Sequence, residues 1–375
     1  MPACNFTKHR LFFAIALLVT ITVSSLPLYA GPMSGNKFVQ HNLVSDLPGM
    51  AVTTDPDLVN PWGIALSSGS PFWISDNGTG LATLYNGAGV KQGLVVTVPP
   101  GAGNAPPSAP TGQVFNPTMG FHGTHFIFAT EDGSVAGWSG GSSAAMEASG
   151  AAGSVYKGLT IDGNSLFVAN FGLGRIDVFD SNFSPMSTSG DFTDPALPAG
   201  YVPFNIQNLG GKLYVTYALS SGGTDEVDGA GLGFVDVFDS NGNFLGRVGS
   251  QGALNAPWGL TLAPTGFGKF GGDLLVGNFG DGTINVFDPN GGGMLGTLDD
   301  ASGNPIVNEG LWGLTFGNGG NGGDKDKLYF TAGIPGPDSV EDHGLFASLA
   351  FVPEPGSIVL LAAGLIGILR FRRIS

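Results

Sequence analysis

The stretch NAPWGLTLAPTGFGKFGGDLLVGNFGDGTINVFD, Asn255–Asp288, sets the pattern of the chain. It holds an apolar run from Trp258 to Leu262, a glycine-rich connection, and a second run from Asp273 to Asn278. A tight turn at Gly280-Asp281-Gly282 follows, then a third run from Thr283 to Phe287, closed by Asp288-Pro289-Asn290-Gly291. Apolar runs this short, bounded by Gly, Asp, Asn and Pro, are strands joined by turns.

The same grammar recurs five more times. NPWGIALSSGSPFWISDNGTGLATLYNG occupies Asn60–Gly87, and NPTMGF at Asn116 leads to HFIFATEDGSVAGW. KGLTIDGNSLFVANFGLGRIDVFD follows Tyr156, and NIQNLGGKLYVTYA follows Phe204 and ends in GLGFVDVFD at Asp239. NEGLWGLTF starts the last copy at Asn308, which runs to Phe351. Counting from Trp62, the equivalent positions read as Met119, Gly158, Asn205, Trp258 and Trp312. Their spacings scatter around the roughly 40–50 residues of a four-stranded blade. Six such units give an all-β fold, a six-bladed β-propeller. The last copy shows only three strands, so Lys37–Val44 is expected to supply its missing outer strand and close the ring. Trp62, Trp258 and Trp312 share one place in the repeat, which favours packing over ligand stacking.

Both ends stand outside this repeat. Lys8-His9-Arg10, an apolar Leu11–Val23 and a small residue at Ala30 read as a signal peptide over 1–30, leaving the propeller at 31–352. The single cysteine, Cys4, precedes the apolar run, so the exported body has no thiol for catalysis, zinc or a disulfide. With 64 Gly and 25 Pro the chain nears a disordered composition, but its aromatic and apolar residues lie in regular runs, as turn-rich β structure requires. Formal charge is −15 overall; without the two ends 28 acids face 9 bases, or −19. Such a surface is repelled by phosphate backbones and anionic membranes, which excludes nucleic acid as a partner.

The C-terminal segment 353–375 joins Pro353-Glu354-Pro355, an apolar stretch to Leu369, and a basic end with Arg370, Arg372 and Arg373. In that order the three parts resemble the PEP-CTERM sorting signal of Gram-negative bacteria that make extracellular polysaccharide. The resemblance implies recognition and removal by exosortase, which makes the short C-terminal transmembrane helix a transient anchor; a permanent, unprocessed anchor is the alternative, and the N-terminal signal implies Sec export. As a helix, Gly356–Leu369 would span about 21 Å, short of a bilayer core of roughly 30 Å. The basic end marks the cytoplasmic side. The protein is therefore expected on the periplasmic side of the inner membrane before processing, and at the cell surface or in the matrix afterwards.

Several local patterns resolve into turns. His122-Gly-Thr-His125 puts two histidines three apart, off one strand face. Gly137-Trp-Ser-Gly-Gly141 matches a nucleophile elbow but is followed by a loop where a helix is needed. Asp239–Asn243 starts like a calcium loop yet has Phe244 at the glycine position and Ser250 where a glutamate belongs. Val98–Pro110 reads as a polyproline-like loop between the first two blades.

Chemistry in a propeller concentrates at the channel mouth. The turns before the innermost strands give Asn60, Asn116, Asn205, Asn255, Asn308 and Glu309. Those after the second strands give Asp76, Asn77, Glu131, Asp132, Asn170 and Asn278. Hard cations take such oxygen ligands. In blade architecture and residue types this resembles the SMP-30-like lactonase propellers, which implies a central Ca²⁺, with Asn60, Asp76, Asn116, Asn170, Asn205, Asn255, Asn278 and Glu309 as candidate ligands. Asparagine also serves such turns without binding anything.

Two functions stay open. One is a non-catalytic NHL-like binding module for a glycan or matrix protein. The other is a calcium-dependent lactonase or esterase with Asp76 or Glu131 as base. The overall look also resembles a bacterial family of exported propellers from which no activity carries over. With no legible nucleophile, histidine dyad or cofactor loop, the residues favour binding.

Overall fold

A computed structural model describes residues 37–337 and 341–353. The expected signal peptide, Glu354, Pro355, the apolar C-terminal stretch and its arginines lie outside them. Among the described residues no helix is long and apolar enough to cross a membrane.

Six sheets, antiparallel except for a short parallel strand at Thr53–Thr54, follow one another along the chain. Their strands, innermost first, are Pro61–Ala65, Phe72–Asp76, Leu81–Tyr85 and Lys91–Thr97 in blade 1, then Pro110–Phe115, Phe126–Thr130, Ser134–Trp138 and Ala145–Ser149 in blade 2. Blade 3 is Tyr156–Asp162, Ser165–Asn170, Arg175–Phe179 and a stub at Pro185–Met186. Blade 4 is Tyr201–Leu209, Lys212–Ser220, Phe234–Phe238 and Phe244–Ser250; blade 5 is Pro257–Leu262, Leu274–Asn278, Ile284–Asp288 and Gly293–Thr297. Blade 6 has Leu311–Phe316, Leu328–Ala332 and Leu345–Phe351, and its outer strand is Phe38–Ser45 from the start of the body. That strand pairs antiparallel from Phe38↔Phe351 to Ser45↔Leu345, so the ring closes as the sequence suggests.

The core is divided the same way. Six clusters of buried apolar side chains each fill one blade interface, and a seventh, with Trp62, Phe171, Phe204, Trp258 and Trp312, sits on the axis. Both faces of every sheet are thus buried, and the middle strands of blade 1 (Phe72–Asp76) and blade 2 (Phe126–Thr130) are sealed along their whole length.

The inner strands also correct the repeat register. Pro61-Trp62-Gly63 corresponds to Pro110-Thr111-Gly112, Tyr156-Lys157-Gly158, Pro203-Phe204-Asn205, Pro257-Trp258-Gly259 and Leu311-Trp312-Gly313. The counterparts of Trp62 are therefore Thr111, Lys157 and Phe204, where the sequence suggests Met119, Gly158 and Asn205. Met119 is 96% exposed in the turn after the inner strand of blade 2. Pro110 opens that strand, a place where a missing N–H costs no ladder bond, so the proline-rich loop ends at Ala109.

Glycine at the third position is required by close approach. A Cβ on Gly259 would lie 2.6 Å from the Trp312 carbonyl oxygen, and one on Gly313 2.7 Å from that of Trp62. Neighbouring inner strands therefore meet backbone to backbone around the axis. In blade 4 Asn205 replaces glycine and donates its amide to the Trp258 carbonyl at 2.7 Å.

Candidate functional site

The end of the ring where inner strands begin and second strands finish is floored by aromatic rings. Trp62 and Trp312 stack at 3.6 Å, and Trp258 stands edge-on to both at 6.1 and 5.7 Å. Phe279 stacks on Trp312 at 4.3 Å. All three indoles are buried. The recurring tryptophans thus pack across the axis as well as between neighbouring blades, and they plug the channel beneath the mouth.

Into this floor blade 3 inserts a lysine where blades 1, 5 and 6 place tryptophan. Lys157 is only 1% exposed. Its ammonium donates to Glu131 Oε1 at 2.7 Å and lies 4.6 Å from the centre of the Trp62 ring. Burial works against the charge, but Glu131, Glu226 and Asp225 outweigh it and hold the lysine pKa above its ordinary value. A buried ammonium survives only with such partners.

Those partners come from alternate blades. The segments after the second strands of blades 2, 4 and 6 supply Glu131, Glu226, which opens the short strand Glu226–Val227 paired back onto Lys212–Ser220, and Glu341. Asn77 Nδ2 donates to Glu131 Oε2 at 3.2 Å, and Asn60 Nδ2 donates to Glu341 Oε1 at 2.9 Å and to Asn77 Oδ1 at 3.3 Å. Asn60 Oδ1 in turn accepts the Trp312 indole N–H at 3.2 Å. Burial pushes the Glu226 carboxyl up to about 7, against the pull of Lys157. Its Oε2 is sealed from solvent without a hydrogen-bond partner. Burial likewise raises Glu341, while Asn60 and Lys157 pull it down.

Beside this cluster the mouth opens between blades 5 and 6 into a cavity of about 720 Å³. Asp228, Asp281 and Glu309 line it together with Phe279, Pro335 and Pro337. The proline-rich loop is anchored at the rim on the other side, where Asp132 Oδ2 accepts Gly101 N–H at 2.6 Å and the Asn104 amide at 3.1 Å.

The residues that the sequence nominates as ion ligands do not converge. Asn60, with φ +45°, reaches the axis, and Glu309 reaches the side cavity. Asn116 follows the inner strand of blade 2, at the opposite end of the ring, where its amide closes a turn onto Thr124 and Gly120 carbonyls. Asn205 lies within an inner strand. Asn170 and Asn278 hold equivalent places and bind the loops entering blades 3 and 5, through Ser154 Oγ at 2.8 Å and the Ala253 carbonyl at 2.7 Å. Asn255 Oδ1 accepts Gly229 N–H at 2.6 Å, and Asn308 exchanges two amide bonds with Gln40 of the closing strand. Most of these amides are turn and loop fasteners, and among the described residues no group of three acidic, His or Cys side chains is placed to hold a metal. Lys157, Glu226 and Glu341 escape the sequence reading. The signal available for the first is a lysine inside an otherwise apolar strand.

Asp76 occupies in blade 1 the place of Asn170 and Asn278 and is as fully buried, but neither of its carboxylate oxygens has a hydrogen-bond partner. Burial raises its pKa well above the ordinary value, reinforced by Asp55 and Asp57 and opposed by Thr83. Asp76→Asn is therefore expected to stabilise the protein at pH 7 by about 1–3 kcal/mol, the cost of an unsatisfied buried group. A folded-state pKa above the unfolded one means that the penalty is absent below about pH 4 and grows as pH rises through the window above it. The gain should accordingly shrink toward pH 4 in chemical denaturation series, and an Asn variant less stable than wild type at pH 7 would refute the assignment.

Fold and mouth together define a six-bladed β-propeller with a plugged channel and an acidic rim. Residues 351–373 match the PEP-CTERM protein-sorting motif, which marks an exported protein sorted and processed by exosortase. The chain belongs to the same family as two uncharacterized proteins of Acanthamoeba polyphaga mimivirus, R648 and L690. It is 36% identical to R648 over 313 residues, 78% of this chain and 76% of the relative, and 34% identical to L690 over 328 residues, 82% and 84%. A streptogramin B lyase structure superposes with a TM-score of 0.50 at 12% identity, covering 84% of this chain and 97% of the lyase, a likeness of fold alone.

Proposed function

We propose that this exosortase-sorted propeller binds, without transforming, a ligand of the extracellular matrix at its channel mouth, on the periplasmic side of the membrane first and at the cell surface after processing. A glycan or a group on a matrix protein fits that setting. What carries the reading is the fate of the two acids a hydrolase would use. Asp76 is sealed beneath the mouth, and Glu131 is committed to Lys157 and Asn77. A general base needs hydrogen-bond reach to its substrate and a free lone pair. The donor set expected for calcium is divided between turns, loops and the two ends of the ring, so no step is derived through an ion.

Lys157 supplies a fixed central charge at the aromatic floor, and the exposed Asp228 and Glu309 present acceptors in the adjoining cavity. Polar groups few in number, convergent and backed by apolar walls make a binding pocket. The test is a titration of the exported protein with matrix polysaccharide fractions, alongside a lactone and ester hydrolysis screen. Saturable binding with no turnover is expected. Turnover that disappears in Glu131→Gln would favour the hydrolase instead.

A further inference from the structure

We propose that the ligand of the mouth carries free primary ammonium groups, as an amino sugar with unblocked nitrogens does; this rests on the binding reading above. Three features converge. Lys157 is the one cation among the described residues of the mouth, and Glu131 takes its shortest contact. Glu226, Glu341 and Asp225 share what remains of that charge.

The second feature is a missing donor. Glu226 Oε2 is shut off from solvent and accepts no hydrogen bond, and the Lys157 charge pulls against the burial that raises its carboxyl. A sealed acceptor of this kind costs free energy until an N–H or O–H reaches it, and a charged donor makes the stronger bond.

The third is the adjoining cavity. Asp228, two residues along the chain from Glu226, lines it with Asp281 and Glu309, and among its described lining residues there is no base. Phe279, Pro335 and Pro337 form the apolar side. Its size, about 720 Å³, falls in the range of small-molecule sites. A sugar ring offers an apolar face to Phe279 and hydroxyls to the rim, and an ammonium adds charge complementarity and a donor. The aromatic face itself attracts cations. Anionic saccharides would be repelled.

Calorimetric titration of the exported protein with glucosamine oligomers, N-acetylglucosamine oligomers of equal length and spermidine tests this. Binding of the glucosamine oligomer at least tenfold tighter than its acetylated counterpart, weakened by salt, is expected. Asp228→Asn/Glu309→Gln, both exposed positions, should weaken it several-fold with the fold intact, and Glu226→Gln should weaken it further. Spermidine binding in place of the amino sugar would keep the ammonium chemistry and assign it to a linear amine. Equal affinity for acetylated and free oligomers would overturn the ammonium proposal while leaving a glycan-binding mouth in place. Binding of neither ammonium ligand would also overturn it, and the matrix-polysaccharide titration would then judge the binding reading separately.

Discussion

A chain lacking Lys37–Ser45 is expected to lose its cooperative unfolding transition. The segment buries Phe38, Leu43 and Val44 almost completely, which at about 1.5–3 kcal/mol each amounts to roughly 5–9 kcal/mol. Whole domains are stable by only about 5–15 kcal/mol. The loss is not confined to one sheet. Phe38 stacks on Phe267 of blade 5 at 4.6 Å, while Leu43 and Val44 join Phe72, Ile74 and Tyr85 of blade 1 in one cluster. The strand therefore closes two blade interfaces and covers the edge of Leu345–Phe351, which would otherwise offer unpaired backbone to other chains. Thermal and urea unfolding of the deletion should show a broad, early or absent transition. A sharp transition within a few degrees of wild type would mean that the ring does not depend on this strand.

Lys157→Met is expected to destabilise the protein by about 3 kcal/mol at pH 7. Removing one member of a buried ion pair costs about 3–5 kcal/mol because the other charge is left behind. The low end applies here, since the Glu131 side chain is 29% exposed and water screens it in part. The pKa of Lys157 is raised in the folded state, so its contribution is complete below the unfolded value near 10.4 and is lost only as pH rises through the folded one. Across the neutral range the lysine stays charged, and the variant's pH dependence comes from the glutamates. Glu226, already at about 7 with Lys157 present, rises further without it. Carboxyls with raised folded pKa values cost most above those values and least below the unfolded value near 4.3. The deficit of Lys157→Met should thus shrink between pH 7 and pH 5, and Lys157→Met/Glu131→Gln should cost less than the two single changes added. A deficit independent of pH would point to lost packing on Trp62 alone.

How far the sequence could be read follows from the physics of its repeats. Strands announced themselves because short apolar runs alternate with Gly, Asn and Asp turns, and these are local signals. Ring closure was legible because the last copy lacked a strand and a strand-like segment stood unused at Phe38–Val44. Register was harder. Asn116-Pro117 looks like Asn60-Pro61, yet the inner strand of blade 2 begins at Pro110, inside a segment whose prolines suggest a loop. That slip displaced the inner strand of blade 2, and a one-residue offset at Gly158 hid Lys157, which sits where tryptophan stands in three other blades. Glu226 and Glu341 lie in connections of unequal length between the second and third strands, and nothing local shows that these meet Glu131 on one axis. The asparagines were conspicuous for a different reason: fixing a turn and ligating an ion call for the same side chain, and only the partners tell them apart.

The most direct measurement of the proposed role is equilibrium binding of matrix polysaccharide fractions by the exported protein and by Glu226→Gln, with circular dichroism to confirm that both are folded. Saturable binding to wild type, weakened at least tenfold in Glu226→Gln and unaccompanied by any chemical change in the ligand, is the predicted result. Binding of equal strength in both proteins would place the ligand away from the channel mouth and contradict the account.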